Sequence, residues 1–196
     1  MVPPGAETGI LVGLPVAERL FMEFAVGSKV IYPSHGTAEV VGRSVRKIDG
    51  ADVNYLELVV AAGDESWRGG AMTLAVPEDR AVELGVREAI SREEVDDVMA
   101  VLAVTNVRVP TNWSRRFKNH QEKLKSGDIY ECAEVVRNLS LREQSGSLST
   151  AEKSMQARAR QILVSELAVS WDISFDEAGA RIDEVLINSD AEKSSK

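Results

Sequence analysis

Polar and apolar positions alternate through the first part of the chain, from residue 27 to about residue 86. Four segments there combine β-branched or aromatic residues with polar interruptions, as half-buried strands do: 30–32, 37–41, 53–60 and 72–76. Asp49-Gly50, between the second and third segments, is a dipeptide that favours a tight hairpin turn. Short strands within about 60 residues predict a small, strongly bent sheet or an SH3-like barrel.

The pattern changes after Ser91, where apolar residues recur every three or four positions, as on one face of a helix. Four pairs of residues have the spacing of a helix-start capping pair: Ser91 and Glu94, Asp128 and Glu131, Ser149 and Glu152, and Ser174 and Glu177. With a further helix near residue 113, five short amphipathic helices predict a compact all-α domain. The predicted fold class is therefore α+β, with a small β-barrel module followed by a helical domain.

The second predicted helix follows a proline. Pro110 disfavours a helical conformation for the residue before it. Thr111 or Asn112 can then cap a helix that starts near Trp113, and a glycine at 127 is a natural end for it. Four side chains of this helix share one stripe: Trp113, Phe117, His120 and Leu124. Four cations are expected along its sides: Arg115, Arg116, Lys118 and Lys123.

This helix concentrates positive charge in an acidic protein. The chain carries a net charge of −8 at pH 7, whereas six Lys or Arg and one Glu give residues 108–125 a local charge of +5. A tryptophan within such a cluster is typical of a local nucleic-acid contact. Two interpretations of Trp113 stay open. It either starts a buried stripe between solvated cations, or it projects from the helix end and wedges against a base step.

Side chains suited to catalytic or metal chemistry are sparse. The single cysteine, Cys132, excludes an intramolecular disulfide, and its place on an apolar helical stripe indicates packing. Together with His35 and His120 it falls short of the about four ligands of a zinc site, and no phosphate-binding glycine motif occurs. We therefore expect no enzyme activity, cofactor or metal. No apolar run approaches the roughly 20 residues of a membrane span, and we expect a cytoplasmic protein.

The run from Pro110 to Lys118, Pro-Thr-Asn-Trp-Ser-Arg-Arg-Phe-Lys, closely resembles the helical-domain motif of the CarD family of bacterial transcription regulators. The resemblance continues through 123–128, 133–139 and 159–168, and upstream through 26–27 and 30–36, so it covers about residues 22 to 188. It implies a disordered extension at 1–21, a Tudor-like domain at 22–88 and a helical domain at 91–188. The polar composition of the last residues predicts a flexible tail at 189–196.

The resemblance also implies a protein partner. In the family, the Tudor-like module binds the RNA polymerase β subunit, and Arg46 matches a family arginine that faces the polymerase. Without such a partner, Arg46 would be an ordinary exposed hairpin arginine. Two features depart from the family pattern, a longer loop at 63–70 and Ala75 in place of an expected arginine. Arg68 or Trp67 is the candidate substitute for that arginine.

The helical domain of the family contacts promoter DNA. The resemblance implies that the chain's tryptophan enters the minor groove at the upstream edge of the melted promoter. The candidate DNA-binding residues are Trp113, Arg115, Arg116, Lys118, Lys123 and Lys153. The predicted function is stabilisation of the open promoter complex by a monomer that binds DNA largely independently of sequence. Such a protein would be associated with the nucleoid through RNA polymerase.

Two other classes of protein stay open. One is an RNA-binding or ribosome-associated protein, which would carry cations and aromatic residues on the SH3-like barrel itself. Arg43, Arg46 and Lys47 form a modest cluster of that kind. The other is an adaptor that binds only proteins, in which Trp113 belongs to the core and the cationic stretch meets an acidic partner.

Overall fold

The structure is a computed structural model that describes residues 24–33, 35–60 and 72–194, with side chains described as far as residue 187. The predicted extension at 1–21 and the predicted long loop at 63–70 lie outside the described residues. The predicted fold class is confirmed, because an antiparallel sheet is followed by a bundle of helices.

Four antiparallel strands form one sheet that curls into a half-barrel, in the order β1-β2-β3-β4. Their bounds are Lys29–Tyr32, Gly36–Ile48, Ala51–Val60 and Met72–Pro77 for β1 to β4. The predicted turn at Asp49-Gly50 is confirmed, since both residues have positive φ (51° and 85°), as a two-residue hairpin with primed geometry requires. The hairpin of β2 and β3 is the longest feature of the sheet.

Strand β2 is longer than the predicted segment, which ended at Val41. The register between β2 and β3 shifts between Val40 and Gly42, and pairing then continues as far as Ile48. Most side chains in this outer part are exposed, so no alternation of buried and exposed positions marks it in the sequence. The shift is a β-bulge that lets the hairpin extend beyond the packed half of the sheet.

The inner face of the sheet has its own apolar core. Its buried residues come from all four strands and from the segments on either side of them: Phe24, Val30, Ala38, Val40, Leu56, Leu58, Val60, Val76, Ala81 and Val86. A single 3₁₀ turn, Glu78–Arg80, follows β4. Backbone hydrogen bonds between Ile31 and Arg87 then bring the chain back beside β1. The far edge of β1 is therefore partly covered.

Five α-helices follow the sheet, in agreement with the predicted number. Their bounds are Arg92–Ala103, Trp113–Ser126, Ile129–Ser145, Thr150–Trp171 and Phe175–Ser194 for α1 to α5. No helix among the described residues is both long and apolar enough to cross a membrane.

The predicted helix-start pairs occur in two forms. The serine of each of the three Ser–Glu pairs accepts the glutamate backbone N–H, and the glutamate carboxylate accepts the serine backbone N–H. Asp128 caps α3 by accepting the N–H groups of Tyr130 and Glu131. Glu131, however, accepts a hydrogen bond from Ser126 Oγ at 2.5 Å, so the reciprocal half of this predicted pair is directed elsewhere.

A second, larger core lies among the helices, and each helix contributes to it. The buried position predicted for Cys132 is confirmed, and burial raises the pKa of its thiol to about 12. The remaining buried apolar residues include Val98 and Leu102 of α1, Leu124 of α2, Leu139 of α3, Leu163 and Leu167 of α4, and Ile182 of α5. Helical spacing in the sequence predicted most of these positions.

Sheet and helices pack directly against each other through α4. The hydroxyl of Thr37 donates to the backbone carbonyl of Ser165 at 2.9 Å, and Thr37 N–H donates to Ser165 Oγ at 3.2 Å. Gly36, with φ of 81°, lies so close that a Cβ there would be 2.5 Å from Ser165 Oγ. The start of β2 therefore requires glycine for its conformation and for its contact with α4.

An ion pair joins the same two parts of the molecule. Arg87 Nη1 and Nη2 donate to Glu166 Oε1 and Oε2 at 2.6 and 3.1 Å, in a two-bonded arrangement. Glu166 is fully buried on α4 and also accepts the backbone N–H of Ile90. Arg87 reaches further, to the carbonyl of Gly127 after α2. One arginine thus links the sheet to two helices.

Candidate nucleic-acid interface

Trp113 is the first residue of α2. The side chain of Asn112 accepts the N–H of Arg115 at 3.0 Å, so Asn112 is the cap and the alternative cap at Thr111 is not used. The chain is extended at Asn112 and turns into the helix at the next residue. As a result the indole lies at the helix end, where 45% of Trp113 remains exposed.

Two contacts orient the exposed indole. Its ring stacks on Phe117, one turn further along α2, with ring centroids 5.2 Å apart and an angle of 21° between the planes. Its Nε1–H donates to Ser149 Oγ, the cap of α4, at 3.1 Å. The two interpretations left open by the sequence therefore each describe part of the arrangement. Phe117, His120 and Leu124 continue the stripe inwards, while Trp113 stands at its exposed end.

Arg116 does not lie on an exposed side of the helix, and that expectation was wrong. It is 1% exposed, and its Nε and Nη2 donate to Glu152 Oε1 at 2.9 and 2.7 Å. Its Nη1 donates to the carbonyls of Pro110 and Thr111, both at 3.0 Å. A buried guanidinium with a carboxylate and two carbonyls as partners is directed into the protein and away from solvent.

Glu152 is held in its charged form. Burial by itself would raise the pKa of this carboxyl, but the hydrogen bonds from Ser149 and from the Arg116 guanidinium outweigh burial and lower the pKa below its ordinary value. The predicted helix-start pair at Ser149 and Glu152 is therefore also the site at which the buried arginine is neutralised.

The other candidate cations differ in how exposed they are to solvent and in whether a carboxylate pairs with them. Arg115 and Lys153 are exposed, and Lys153 lies in the first turn of α4, whose cap contacts Trp113. Lys118 is also exposed (75% of its side chain) and is 3.8 Å from Glu122. Lys123 is ion-paired with Glu134 of α3 and keeps 30% of its side chain exposed. Arg115 and Lys153 are thus exposed cations in the first turns of the two helices that meet at the indole.

His120 lies beneath this surface and is buried. Burial, together with the positive charges of Arg116 and Lys123, lowers the pKa of its imidazole from 6.5 to about 4, although Glu152 and Glu134 act in the opposite direction. Its Nδ1 has no hydrogen-bond partner among the described residues. The imidazole is therefore neutral at pH 7 and part of the packing under α2.

The polymerase-binding candidates lie in the sheet. Arg46 is exposed near the tip of the β2–β3 hairpin, with its guanidinium carbon 4.8 Å from the centroid of the Tyr55 ring. Ala75, where the family resemblance led us to expect arginine, is half-buried in β4 and pairs with Glu57. Arg68 and Trp67 lie outside the described residues. No group of three or more residues that could hold a metal ion occurs within the described ranges.

Ser149 and Glu152 have roles in this site that the sequence did not predict. Their spacing predicted a helix start, and that is confirmed. Nothing in that spacing indicated that Ser149 contacts Trp113 or that Glu152 neutralises Arg116, because both partners lie 36 residues away in the chain. A buried carboxylate on a capping pair is a signal that appears only in three dimensions.

Comparison with known proteins agrees with this geometry. Residues 97–183, which contain Trp113 and all of the candidate cations of the helical domain, match the family described as "CarD, C-terminal domain". The chain is 25% identical over 146 residues to the Bacillus subtilis (strain 168) protein named "Putative transcription factor YdeB", which covers 74% of this chain and 91% of that protein. Together, this family match and this relative support a CarD-like transcription factor. The match to the C-terminal domain supports the resemblance to the CarD family seen in the sequence.

Proposed function

We propose that this transcription factor binds the RNA polymerase β subunit through its half-barrel sheet and stabilises the open promoter complex through Trp113. In this role the indole enters the minor groove at the upstream edge of the melted DNA. The observation that carries the proposal is the position of Trp113, half-exposed at a helix start and accompanied by the exposed cations Arg115 and Lys118.

The chemistry of the surface suits unstacked DNA. An aromatic wedge between base steps is favourable where the steps are already partly open, and cations beside it neutralise phosphates. A preference of about 1.4 kcal/mol for open over closed DNA would raise the ratio of open to closed complexes tenfold. Contacts of this kind read no base edges, so the protein acts at many promoters.

The phosphate contacts are assigned to Arg115, Lys118 and Lys153, which are all exposed. Lys123 contributes less, because its pairing with Glu134 cancels part of its charge. Arg116 supports the surface from below, since its guanidinium holds the backbone carbonyls of Pro110 and Thr111 just before the helix.

Attachment to polymerase is assigned to the sheet, on the basis of the family resemblance and the exposed Arg46. The test replaces Arg46 with Glu in the full chain and measures retention of RNA polymerase from lysate. Lys47→Glu is the matched control, because Lys47 is the next exposed cation of the same hairpin and pairs with Asp52 in the sheet. We expect Arg46→Glu to weaken retention through charge reversal, and more strongly than the control does.

The wedge is tested with Trp113→Ala. We expect a stability loss of about 1–2 kcal/mol, because the half-exposed ring keeps contacts with Phe117 and Ser149. Polymerase retention should be normal, and heparin-resistant promoter complexes should decay faster. Trp113→Phe should keep part of the activity, since a smaller ring still stacks. An unchanged complex lifetime in well-folded Trp113→Ala would contradict the proposed wedge.

A further inference from the structure

Ser149 occupies an unusual junction, because three hydrogen bonds meet at one hydroxyl. Its Oγ accepts the Nε1–H of Trp113 at 3.1 Å and the backbone N–H of Glu152 at 3.3 Å. The hydroxyl in turn donates to Glu152 Oε2 at 2.9 Å. A serine hydroxyl has one proton to give and two lone pairs that accept, so all of its capacity is used.

The direction of each of these bonds is set by the groups around it. A charged carboxylate accepts and never donates, so the Ser149 proton must point to Glu152 Oε2. The lone pairs of Oγ are then left facing the Glu152 N–H and the indole N–H, both of which are donors only. The hydroxyl is thereby oriented before any DNA arrives.

Glu152 is itself fixed by a residue of the helix that carries the tryptophan. Its other oxygen, Oε1, accepts two hydrogen bonds from Arg116. Arg116 is three positions from Trp113 on α2, and also holds the carbonyls of Pro110 and Thr111. The polar connections therefore run from α2 through Arg116, Glu152 and Ser149, and return to α2 at the indole.

We propose that Ser149 is a positioning residue for Trp113, holding the indole by its N–H in the orientation that enters DNA, with Glu152 and Arg116 fixing the serine hydroxyl. The inference rests on the proposed wedge function and adds to it. A ring that stacks only on Phe117 can slide and rotate in its own plane. A hydrogen bond at its edge removes that freedom, so less ordering remains to be done when the ring enters the minor groove.

The chain offers a matched control for the helix cap. Ser174 caps α5 with Glu177 by the same set of hydrogen bonds, including the bond from the hydroxyl to the carboxylate at 2.8 Å. Loss of either hydroxyl removes one cap, and only loss of Ser149 also releases the indole. Both alanine variants should therefore lose the stability of one cap, Ser149→Ala should lose more because Glu152 is buried, and only Ser149→Ala should affect promoter complexes.

The first experiment measures the decay of heparin-resistant promoter complexes with full-length Ser149→Ala and Ser174→Ala. We expect Ser149→Ala to shorten the lifetime about fivefold, the factor for one neutral hydrogen bond, and Ser174→Ala to leave it unchanged. Ser149→Thr retains the hydroxyl and should restore the lifetime. If Ser149→Ala folds poorly, Ser149→Gly replaces it, because glycine at a helix cap lowers stability far less than alanine does. Equal lifetimes for the two alanine variants would overturn the proposal.

A second measurement asks whether Ser149 acts through the indole N–H. Trp113→Phe keeps a ring and lacks the donor, so adding Ser149→Ala to it should shorten the lifetime no further. An equal additional effect in that background would overturn the proposal. In spectra of ¹⁵N-labelled tryptophan, the Trp113 indole proton, identified by its loss in Trp113→Phe, should shift upfield in Ser149→Ala and stay in place in Ser174→Ala.

The outcomes separate this inference from the function on which it rests. If Trp113→Ala leaves the complex lifetime unchanged, the wedge itself is wrong. If Trp113→Ala shortens the lifetime and Ser149→Ala does not, the wedge stands and the positioning role of Ser149 is wrong.

Discussion

At the scale of single residues, the surface of α2 depends on ionisable groups that lie beneath it. Arg116, His120 and Glu152 are all buried under a half-exposed tryptophan. Two of them carry full charges that compensate each other, and the third is kept neutral by its surroundings. The stability of this region should therefore respond to pH and to the loss of either charged partner.

The first prediction concerns pH. His120 has a folded-state pKa of about 4 against 6.5 for an ordinary imidazole, so the unfolded chain binds a proton more readily. The free energy of unfolding should then fall as pH drops below 6.5 and stop responding to this group below about 4, a total loss of about 3 kcal/mol. His120→Gln should flatten the dependence, as measured by urea denaturation.

The pH range that reports on His120 lies between 6.5 and about 4.5. Glu152 has a lowered pKa, so its contribution to the free energy of unfolding is lost only below that range. His35→Gln, at the only other histidine, is the control for removing an imidazole. A slope in that range that survives in His120→Gln would show that another group is responsible.

The second prediction compares two adjacent arginines. Arg116→Met leaves the buried Glu152 without its main partner and should cost about 3–5 kcal/mol. Arg115→Met changes an exposed side chain and should stay within about 0.5 kcal/mol while weakening DNA binding. Urea denaturation and DNA titration of both variants make the comparison. A stable Arg116→Met variant that has lost DNA affinity would return Arg116 to the set of phosphate contacts.

The sequence could predict one half of this arrangement. Helical spacing placed Phe117, His120 and Leu124 on an inward stripe, and the structure agrees. Spacing also places Arg116 beside this stripe and Arg115 on the opposite side, but it could not tell whether a cation at the edge of the stripe reaches solvent or is buried. The distinction is made by Glu152, which belongs to another helix and lies 36 residues further along the chain.

At the scale of secondary-structure elements, the first turn of α2 and the far end of the same helix have different roles. The proposed phosphate contacts lie beside Trp113, whereas Lys125 is exposed in the last turn. At 1.5 Å per residue, about 18 Å of helix separates Lys125 from the indole. One helix therefore provides both a test cation and a control cation.

The third prediction uses that difference. Three phosphate contacts, from Arg115, Lys118 and Lys153, give an expected slope of about −3 for the logarithm of DNA affinity against the logarithm of salt concentration. Lys118→Gln should reduce the steepness by about 0.9, and Lys125→Gln should not change it. A slope near zero in the unaltered chain would mean that these cations are a solvated surface or a protein contact.

Helix starts were the elements best predicted from sequence. Each Ser–Glu pair occurs as a reciprocal cap, because the signal and its structural consequence lie within four residues. Strand β2 was predicted too short, because a hairpin with both faces in solvent has no alternation to detect. Local chemistry therefore predicted where helices begin, whereas the outer part of β2 is held by its pairing with β3, which leaves no periodic pattern in the sequence.

At the scale of the whole molecule, the sheet and the helices are joined by contacts between distant parts of the chain. Thr37 and Ser165 are separated by 128 residues, and no periodicity could have paired them. The two-bonded contact of Arg87 with the buried Glu166 lies beside them. The sequence predicted two modules in the right order, and the manner in which they pack is visible only in the structure.

The fourth prediction tests that packing with two glycines. Gly36 and Gly50 both have positive φ, but a Cβ at Gly36 would lie 2.5 Å from Ser165 Oγ, whereas one at Gly50 would meet nothing within 4 Å. Gly50→Ala should cost about 1–2 kcal/mol for backbone strain alone. Gly36→Ala should cost clearly more in urea denaturation, because α4 must also move. Equal losses would mean that the sheet does not lie this close to α4 in solution.

The contacts between the sheet and the helices fix the distance between two parts of the protein surface. These two parts are the β2–β3 hairpin near Arg46 and the indole of Trp113. Thr37 and Arg87 join the sheet to α4 of the helical domain. If polymerase holds one part and DNA the other, the chain sets the distance between them. The position at which the indole meets the DNA would then be counted from the enzyme, and would be the same number of base pairs away at every promoter, whatever its sequence.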